Sequence, residues 1–247
     1  MKIVKRVVIY LVGLLIIALG INISKMSGLG IAPVSSVPRA LEVTLSNFGI
    51  SVPIGNQNLI TTGNMVIVIY CLLVIAQLIV LRKDFKAYNI LGVPIAIVFG
   101  KMVDLVGIDP KAFGHLLNRI NFPFPQNYPM KLVYIFASII IIGIGVFVYL
   151  RPNLVPMPAE GLAAAISQKT GKQFGNCKTL VDTSLITIAL LIQLIFLGGF
   201  KSFTGDTVVV REGTILCAVC IGQVVKFLNK KFPAKKAEDK NKAGQQS

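Results

Sequence analysis

The sequence predicts an all-α membrane protein with six transmembrane helices, arranged as two inverted three-span repeats that each contain a short re-entrant or broken helix. Three observations lead to this fold class. The 247 residues are 54% hydrophobic and only 14% charged, whereas about 25% of residues are charged in a typical soluble domain. Six apolar segments are long enough to cross a bilayer. The two halves of the chain also share one order of features.

The net charge of +15 would by itself suit a protein that binds nucleic acid. Apolar runs fill most of the chain, however, and such runs are typical of membrane proteins. We therefore expect no nucleic-acid partner, and we interpret the basic residues as a signal for orientation in the membrane.

The six predicted spans follow from the thickness of the bilayer, since a membrane-spanning helix needs about 20 largely apolar residues. The segments that meet this requirement are residues 7–23, 59–81, 90–106, 132–150, 179–197 and 207–227. The first segment has no small-residue cleavage site followed by a soluble domain. We therefore expect it to remain as the first span and not to act as a removable signal peptide.

The positions of Lys and Arg predict how the spans are oriented, because short basic loops stay in the cytoplasm. Of the 25 basic residues, 17 fall on one predicted side. They lie at the N-terminus, after Arg82, between Arg151 and Lys178, and at the C-terminal end. Both termini are therefore predicted to be cytoplasmic. Residues 230–247 are predicted to form a disordered basic tail that could touch anionic lipid headgroups.

The two halves of the chain form a predicted internal repeat. Residues 1–107 make the first repeat and residues 131–229 the second, and a Pro-rich external loop, residues 108–130, joins them. Each repeat has three spans, an odd number, so the second repeat is inverted relative to the first. Each repeat also contains a segment that is too short and polar to span alone, residues 31–48 and 155–170. Such a segment either enters and leaves on one face or lies on the membrane surface.

Short helices are predicted within these two segments, over residues 33–48 and 156–171. Pro38 and Pro158 suit the first position of a helix, where no backbone N–H is needed, and Ser36 could cap the first of them. Gly49 and Gly171 suit the left-handed residue that ends a helix.

The loops before the short helices contain Pro33 and Pro156, which would let the extended chain descend toward the middle of the membrane. Both helix N-termini would then face one central site, and helix N-termini favour anions. Broken helices in inverted repeats are a recurring design of transporters. The residues to which we assign a structural or hinge role are Gly30, Pro33, Pro38, Pro156, Pro158, Gly161, Gly213 and Gly222.

Several short motifs are similar to those of a known protein family. They are Pro158-Ala159-Glu160-Gly161-Leu162, Gly175 followed by Asp182, Gly213-Thr214-Ile215 with Gly222, and a Gly-x-x-Pro stretch from Gly30 to Pro33. On these residues the chain resembles the YczE/YyaS/YitT bacterial membrane proteins over most of residues 1–230. That family often has Asp where this chain has Glu160. The resemblance implies a multi-pass protein of the bacterial plasma membrane, and it implies no particular substrate.

Charged side chains within spans or short helices are the candidates for a substrate-binding site, because each costs about 2.5 to 3.5 kcal/mol to insert at a helix centre. Those chosen are Arg39, Glu42, Glu160, Lys178, Asp182, Arg211 and Glu212. Most of them also have a structural interpretation. Glu160 suits the first turn of a helix, Asp182 could pair with Lys178, and Arg39 could pair with Glu42.

Two further charged pairs have open interpretations. Arg211 could reach the mouth of a cavity, or it could extend to the lipid headgroups from a position four residues into the last span. Lys101 and Asp104 are three residues apart and are expected to pair with each other, although Asp104 could instead pair with Arg211.

No catalytic residue, metal site or cofactor is predicted. His115 stands alone in the external loop, and the four cysteines do not form a zinc ligand set. Cys217 and Cys220 have the C-x-x-C spacing, but they lie inside an apolar helix. The sequence has no phosphate-binding loop, metalloprotease motif or dinucleotide-binding fingerprint.

The leading functional hypothesis is a transporter or permeation protein for a small polar solute, with an anion as one option. It would work by alternating access or gating around the central site, with Glu160 or Asp182 carrying a coupling proton. Two alternatives stay open. One is a membrane assembly or accessory protein without transport, and the other is a membrane enzyme acting on a lipid-borne substrate. The expected partners are membrane lipids, an unidentified small solute and, in a homo-oligomer, further copies of the chain.

Overall fold

Six of the helices in the described residues are long and apolar enough to cross a membrane. The computed structural model describes residues 2–54, 57–85, 87–109, 112, 114–197 and 209–232. Its α-helices are α1 (Lys2–Ser27), α2 (Pro33–Asn47), α3 (Thr62–Leu81), α4 (Gly92–Val106), α5 (Leu116–Arg119), α6 (Tyr128–Leu150), α7 (Pro158–Thr170), α8 (Phe174–Phe196) and α9 (Glu212–Lys231). Helices α1, α3, α4, α6, α8 and α9 correspond to the six predicted spans.

Short non-α elements complete the described chain. Two 3₁₀ helices, Arg82–Asp84 and Ala87–Leu91, connect α3 to α4. Two antiparallel strands of two residues each, β1 (Pro53–Ile54) and β2 (Gln57–Asn58), precede α3. The predicted loop over residues 108–130 holds the one-turn helix α5, and α6 already begins within it at Tyr128.

The last span begins later than predicted, at Glu212 and not near residue 207. The Gln193 side chain explains this start. Its Oε1 accepts backbone N–H groups of Val209 (3.1 Å) and Val210 (2.8 Å), and this holds both residues outside the helix. Arg211 is therefore the residue just before α9, and Glu212 lies in its first turn, where a carboxylate favours the helix dipole. The helix continues to Lys231, beyond the predicted start of the tail, and residues 233–247 lie outside the described part of the chain.

Helix α2 also begins at a different residue from the one predicted. Pro33, and not Pro38, occupies its first turn, so that Pro38 lies inside the helix. The predicted cap is likewise wrong, because the Ser36 hydroxyl donates to the carbonyl of Pro33 within the helix, at 2.6 Å. A proline at the first position of a helix needs no partner for a backbone N–H. Pro33 suits this position about one and a half turns before Pro38, and the helix begins there.

Helix α7 agrees with the sequence prediction at both ends. Pro158 is in its first turn, and Gly171 follows the last residue with φ of +68°. This left-handed conformation is the one that glycine adopts without steric cost.

Helices α1 and α6 run antiparallel and pack closely along their length. Gly13 lies against Tyr149, Gly20 against Ile142, and Gly145 against Ile17. A Cβ atom added at Gly13 would come within 2.5 Å of the Tyr149 backbone nitrogen. Glycine at these positions therefore lets the two backbones approach closely, which is how membrane helices gain packing energy without a hydrophobic driving force.

The two short helices run toward opposite ends of the bundle. Helix α2 lies along α8, with Ser36 near Leu185 and Phe48 near Phe196. Helix α7 lies along α3, where Gln77 donates to the Pro158 carbonyl at 2.9 Å. We call the end at which α1 begins and α3 and α6 end the basic face, and the other end the opposite face. Helix α7 runs toward the basic face and α2 toward the opposite face.

Candidate functional site

A cavity of about 470 Å³ lies inside the bundle, and it is called the central cavity below. Residues from seven helices line it, including the middle of α1, the inner side of α6 and the facing sides of α8 and α9. Both short helices meet it with their N-terminal ends, through Pro33 and Val34 of α2 and Met157 and Glu160 of α7. Most of the remaining lining is apolar.

Three charged residues line the central cavity, and all three are among the predicted site residues. The Lys178 ammonium lies 2.8 Å from Asp182 Oδ1 and 3.6 Å from Glu160 Oε1. Lys178 and Asp182 are one turn apart on α8, so their pairing is local, whereas Glu160 arrives from α7. The cluster therefore joins the short helix to a spanning helix, and it leaves one negative charge in excess.

Polar groups with incomplete hydrogen bonding surround Glu160. Its Oε2 atom and the Tyr70 hydroxyl are buried and have no hydrogen-bond partner among the described residues, and the buried Tyr149 hydroxyl lies close to the Glu160 carboxylate. Tyr10, which packs edge-on against Tyr149, donates instead to the Val155 carbonyl at 3.0 Å. Buried polar atoms without partners are costly. Glu160 and Tyr70 both line the cavity and are therefore available to bind a polar molecule in it.

The central cavity is accessible between α8 and α9. Among the described residues these two helices barely touch, whereas α3 and α4 pack closely together. Gly175 on α8 and Gly222 on α9 line the cavity and are exposed, and a Cβ atom added at either would meet no atom within 4 Å. The gap lies toward the basic face, because the exposed Phe174 at the start of α8 also lines the cavity.

The loop between α1 and α2 separates the cavity from the opposite face. The Leu29 carbonyl accepts the N–H of Gly213 at 2.9 Å, and the N–H of Ile31 donates to Thr214 Oγ1 at 3.1 Å. Gly30, with φ of +115°, lies so close to Thr214 that a side chain would not fit. The loop therefore rests directly on the start of α9 and closes this side.

A second charge cluster lies at the opposite face, around Glu42. This buried carboxylate contacts the Lys25 ammonium at 3.2 Å and the Arg39 guanidinium at 2.9 Å, and it accepts a hydrogen bond from the Thr62 hydroxyl. Burial favours a higher pKa for Glu42, but the two cations and the hydroxyl outweigh it and lower the pKa to about 2. Glu42 is therefore ionised, and it ties α1, α2 and α3 together.

The other predicted pairs are placed as follows. Arg211 forms a fork with Glu212, with N–O distances of 2.9 and 2.8 Å. The expected pair of Lys101 with Asp104 does not form, and neither does the alternative pair of Asp104 with Arg211. Asp104 instead accepts from the Thr61 hydroxyl at 2.7 Å and from a backbone N–H at the start of α3. Lys101 donates to Asn64 at 2.9 Å, so both side chains join α4 to α3.

The residues with a predicted structural role lie at close contacts around the cavity. Pro156 lines it, and Gly161 packs against the Gln77 amide, where an added Cβ atom would come within 2.8 Å. Gly213 has no room for a side chain beside the Leu29 carbonyl. Among these positions, Gly222 differs in having open space around it.

The seven predicted site residues therefore fall into two groups and not into one site. Glu160, Lys178 and Asp182 share the central cavity, while the Arg39–Glu42 and Arg211–Glu212 pairs lie toward the opposite face. The sequence reasoning missed Lys25 and the three tyrosines. Lys25 could have been found as a charged residue at the end of the first span. The tyrosines could have been found as polar hydroxyl groups within apolar spans.

A scan against protein-family models finds a match over residues 4–230, to a family described as a family of unknown function (DUF6198). The chain belongs to this family. It is also similar to the Uncharacterized protein YyaS of Bacillus subtilis (strain 168), with 28% identity over 184 residues, which are 74% of this chain and 79% of that protein. Membership therefore covers all six spans and both short helices. No solved structure matches the chain significantly.

The described residues hold no group of three or more His, Cys, Asp or Glu side chains that could bind a metal ion. Their four cysteines are unpaired. The chemistry that the central cavity offers is therefore that of its carboxylates, its ammonium group and its hydroxyls, together with two helix N-termini.

Proposed function

We propose that this protein is a membrane transporter that carries a small solute through the central cavity. The observation that carries the proposal is the convergence, in one cavity of about 470 Å³, of both short-helix N-termini and the Glu160–Lys178–Asp182 cluster. A charged cluster inside a bundle of apolar helices is costly to insert and is typical of a solute or ion pathway.

The helix contacts support an inverted-repeat arrangement for this transporter. Helix α2 packs on α8 of the other half, and α7 packs on α3 of the first half. In the same way α1 packs on α4, and α6 packs on α9. Exchanging the halves therefore leaves these four pairings unchanged, whereas the close packing of α3 with α4 has no counterpart between α8 and α9. In this arrangement α2 and α7 are re-entrant helices that enter from opposite faces, and irregular backbone at their N-termini is tolerated because it lines a cavity.

The charged side chains of the cavity favour a cationic solute over an anion, while the two helix N-termini contribute partial positive charges. Two carboxylates and one ammonium leave an excess of one negative charge, and Glu160 Oε2 has no partner. A protonated amine would satisfy this oxygen and could also bind the Tyr70 hydroxyl, while the apolar walls accept a hydrocarbon portion. The anion option at this site is therefore replaced by an amphipathic cation.

The mechanism that follows is an exchange of solute for protons at the carboxylates. In the conformation described above, the loop from Leu29 to Ile31 closes the opposite face and the gap between α8 and α9 opens toward the basic face. Transport requires a second conformation in which the loop leaves α9 and the gap narrows. Glu160 and Asp182 would bind either the amine or protons, so that solute and protons move in opposite directions.

The test uses liposomes that contain the full-length protein and a trapped pH-sensitive dye. A panel of alkyl amines of increasing chain length is added outside, and the internal pH is recorded. We expect protein-dependent alkalinisation for some amines, and its loss in Glu160→Gln and in Asp182→Asn. If no amine changes the internal pH, or if both variants keep full activity, proton-coupled amine transport is wrong.

A plug variant tests the route separately from the charges. Gly222→Phe adds a ring to the open side of the cavity without meeting backbone, so we expect normal thermal stability and loss of transport. The matched control is Val219→Phe, because Val219 is 60% exposed and does not line the cavity. If Gly222→Phe transports the solute as fast as Val219→Phe and the wild type, the solute does not use the gap between α8 and α9.

A further inference from the structure

Four basic residues at the opposite face are not explained by membrane orientation. The orientation rule accounts for 17 of the 25 basic residues, and four of the other eight line one pocket of about 190 Å³. They are Lys25 of α1, Arg39 of α2, Lys131 of α6 and Arg211 before α9. We call this space the basic pocket.

Neighbouring carboxylates neutralise only part of this charge. Glu42 pairs with Lys25 and Arg39, and Glu212 pairs with Arg211. Lys131 has no ion pair with any described residue. The field of Asp109 also acts on Lys25. Even when Asp109 is counted, four positive charges face three negative charges, so the basic pocket keeps a positive charge.

The basic side chains are held in place before any ligand binds. The side chains of Lys25, Arg39 and Arg211 are only 9%, 18% and 23% exposed. Each is fixed by its carboxylate partner, so little side-chain entropy remains to be lost on binding. Gly28 and Gly30 form part of the wall, and their lack of side chains leaves the space open. Like charges gathered in this way repel one another, and an anion placed among them relieves that repulsion.

We propose that the basic pocket binds an oxyanion of the phosphate type. Two guanidinium groups can each donate paired hydrogen bonds to such an anion, and two ammonium groups add charge-assisted donors. The volume of about 190 Å³ accommodates a phosphate group. The loop from Leu29 to Ile31 separates this pocket from the central cavity, so the two sites bind different ligands.

The phosphate group could come from free phosphate or from a lipid headgroup, and two arms of one experiment distinguish these sources. In the first arm, inorganic phosphate is titrated into the purified full-length protein in detergent at constant ionic strength, and binding is measured by thermophoresis. In the second arm, the protein is placed in phosphatidylcholine nanodiscs with increasing phosphatidylglycerol, and the retained phosphatidylglycerol is counted by native mass spectrometry.

The variants test the assigned residues. Lys131→Glu reverses the one charge without an ion pair, and we expect binding to weaken by about tenfold. The matched control is Lys101→Glu, because Lys101 lies at the same face, is exposed and does not line the pocket. Glu212→Gln frees Arg211 from its partner, and we expect tighter binding, a gain that misfolding cannot produce.

Each result decides the proposal. Binding of inorganic phosphate with this pattern of variants assigns a soluble oxyanion, and retention of phosphatidylglycerol alone with the same pattern assigns a lipid headgroup. The proposal is overturned if neither phosphate source binds, or if Lys101→Glu weakens binding as much as Lys131→Glu. It is also overturned if Glu212→Gln does not tighten binding. None of these outcomes depends on whether the central cavity transports a solute.

Discussion

Replacing Glu42 by Gln should be among the most destabilising single changes in the described part of the chain. Glu42 is 5% exposed and is the shared partner of Lys25 and Arg39. Lys25, Arg39 and the Thr62 hydroxyl hold the pKa of Glu42 at about 2, below its ordinary value of 4.5, so the ionised form of Glu42 stabilises the fold at neutral pH. Because the pKa is lowered by folding, this contribution is complete above pH 4.5 and is lost as the pH falls toward 2.

The loss in Glu42→Gln follows from this pairing, since Lys25 and Arg39 would both lose the carboxylate that they share. Removing one partner of a buried ion pair costs about 3 to 5 kcal/mol. The double variant Lys25→Met with Glu42→Gln removes the stranded ammonium as well. We therefore expect the double variant to be more stable than Glu42→Gln alone, by about 1 to 2 kcal/mol.

The free energies of unfolding are measured in detergent by denaturant titration, for the wild type, both single variants and the double variant. This forms a complete double-mutant cycle. A double variant that is less stable than Glu42→Gln would refute the reasoning, because it would show that Lys25 is stabilised by something other than Glu42. Lys101→Met serves as a control for the loss of an exposed lysine.

Three further predictions concern packing, hydrogen bonding and topology. Gly13→Leu should destabilise the α1–α6 pair by about 1 to 3 kcal/mol, because its side chain meets the Tyr149 backbone, and thermal unfolding measures this loss. Gln193→Leu leaves two backbone N–H groups before α9 without their acceptor, which costs about 1 to 3 kcal/mol each; unchanged hydrogen exchange there would contradict it. In a cysteine-free chain, Ser46→Cys should react with an impermeant maleimide only when the reagent is outside. Gln168→Cys should react only when the reagent is on the cytoplasmic side. Reaction of either cysteine from the other side would exclude re-entrant helices.

Local pairs in the candidate sites could be foreseen from spacing alone. Arg39 with Glu42, and Lys178 with Asp182, are three and four residues apart on one helix, and such neighbours meet whatever the rest of the fold does. The same reasoning failed for Lys101 and Asp104. There, Thr61 and a backbone N–H from α3 offered Asp104 better donors, and spacing along one helix contains no information about a neighbouring helix.

The ends of helices were predictable where a local feature set them and not where a distant one did. Pro158 and Gly171 define α7 through their own backbone preferences. The start of α9 depends on Gln193, which captures Val209 and Val210 from a separate helix. The start of α2 was predicted wrongly because Pro33 and Pro38 both suit the first position of a helix, and the local rule does not choose between them. The helix begins at Pro33.

The sequence by itself determined that this chain has six helices long and apolar enough to cross a membrane, with two short helices between them. The thickness of a bilayer sets the length of an apolar segment, so composition and length suffice. Only the tertiary structure decided which charges meet. Glu160 joins Lys178, Glu42 joins Lys25, and four basic residues from four segments surround one pocket. These contacts depend on how helices pack through small residues such as Gly13 and Gly145. Packing depends on the surfaces of two helices together, so it cannot be predicted from the sequence of one helix.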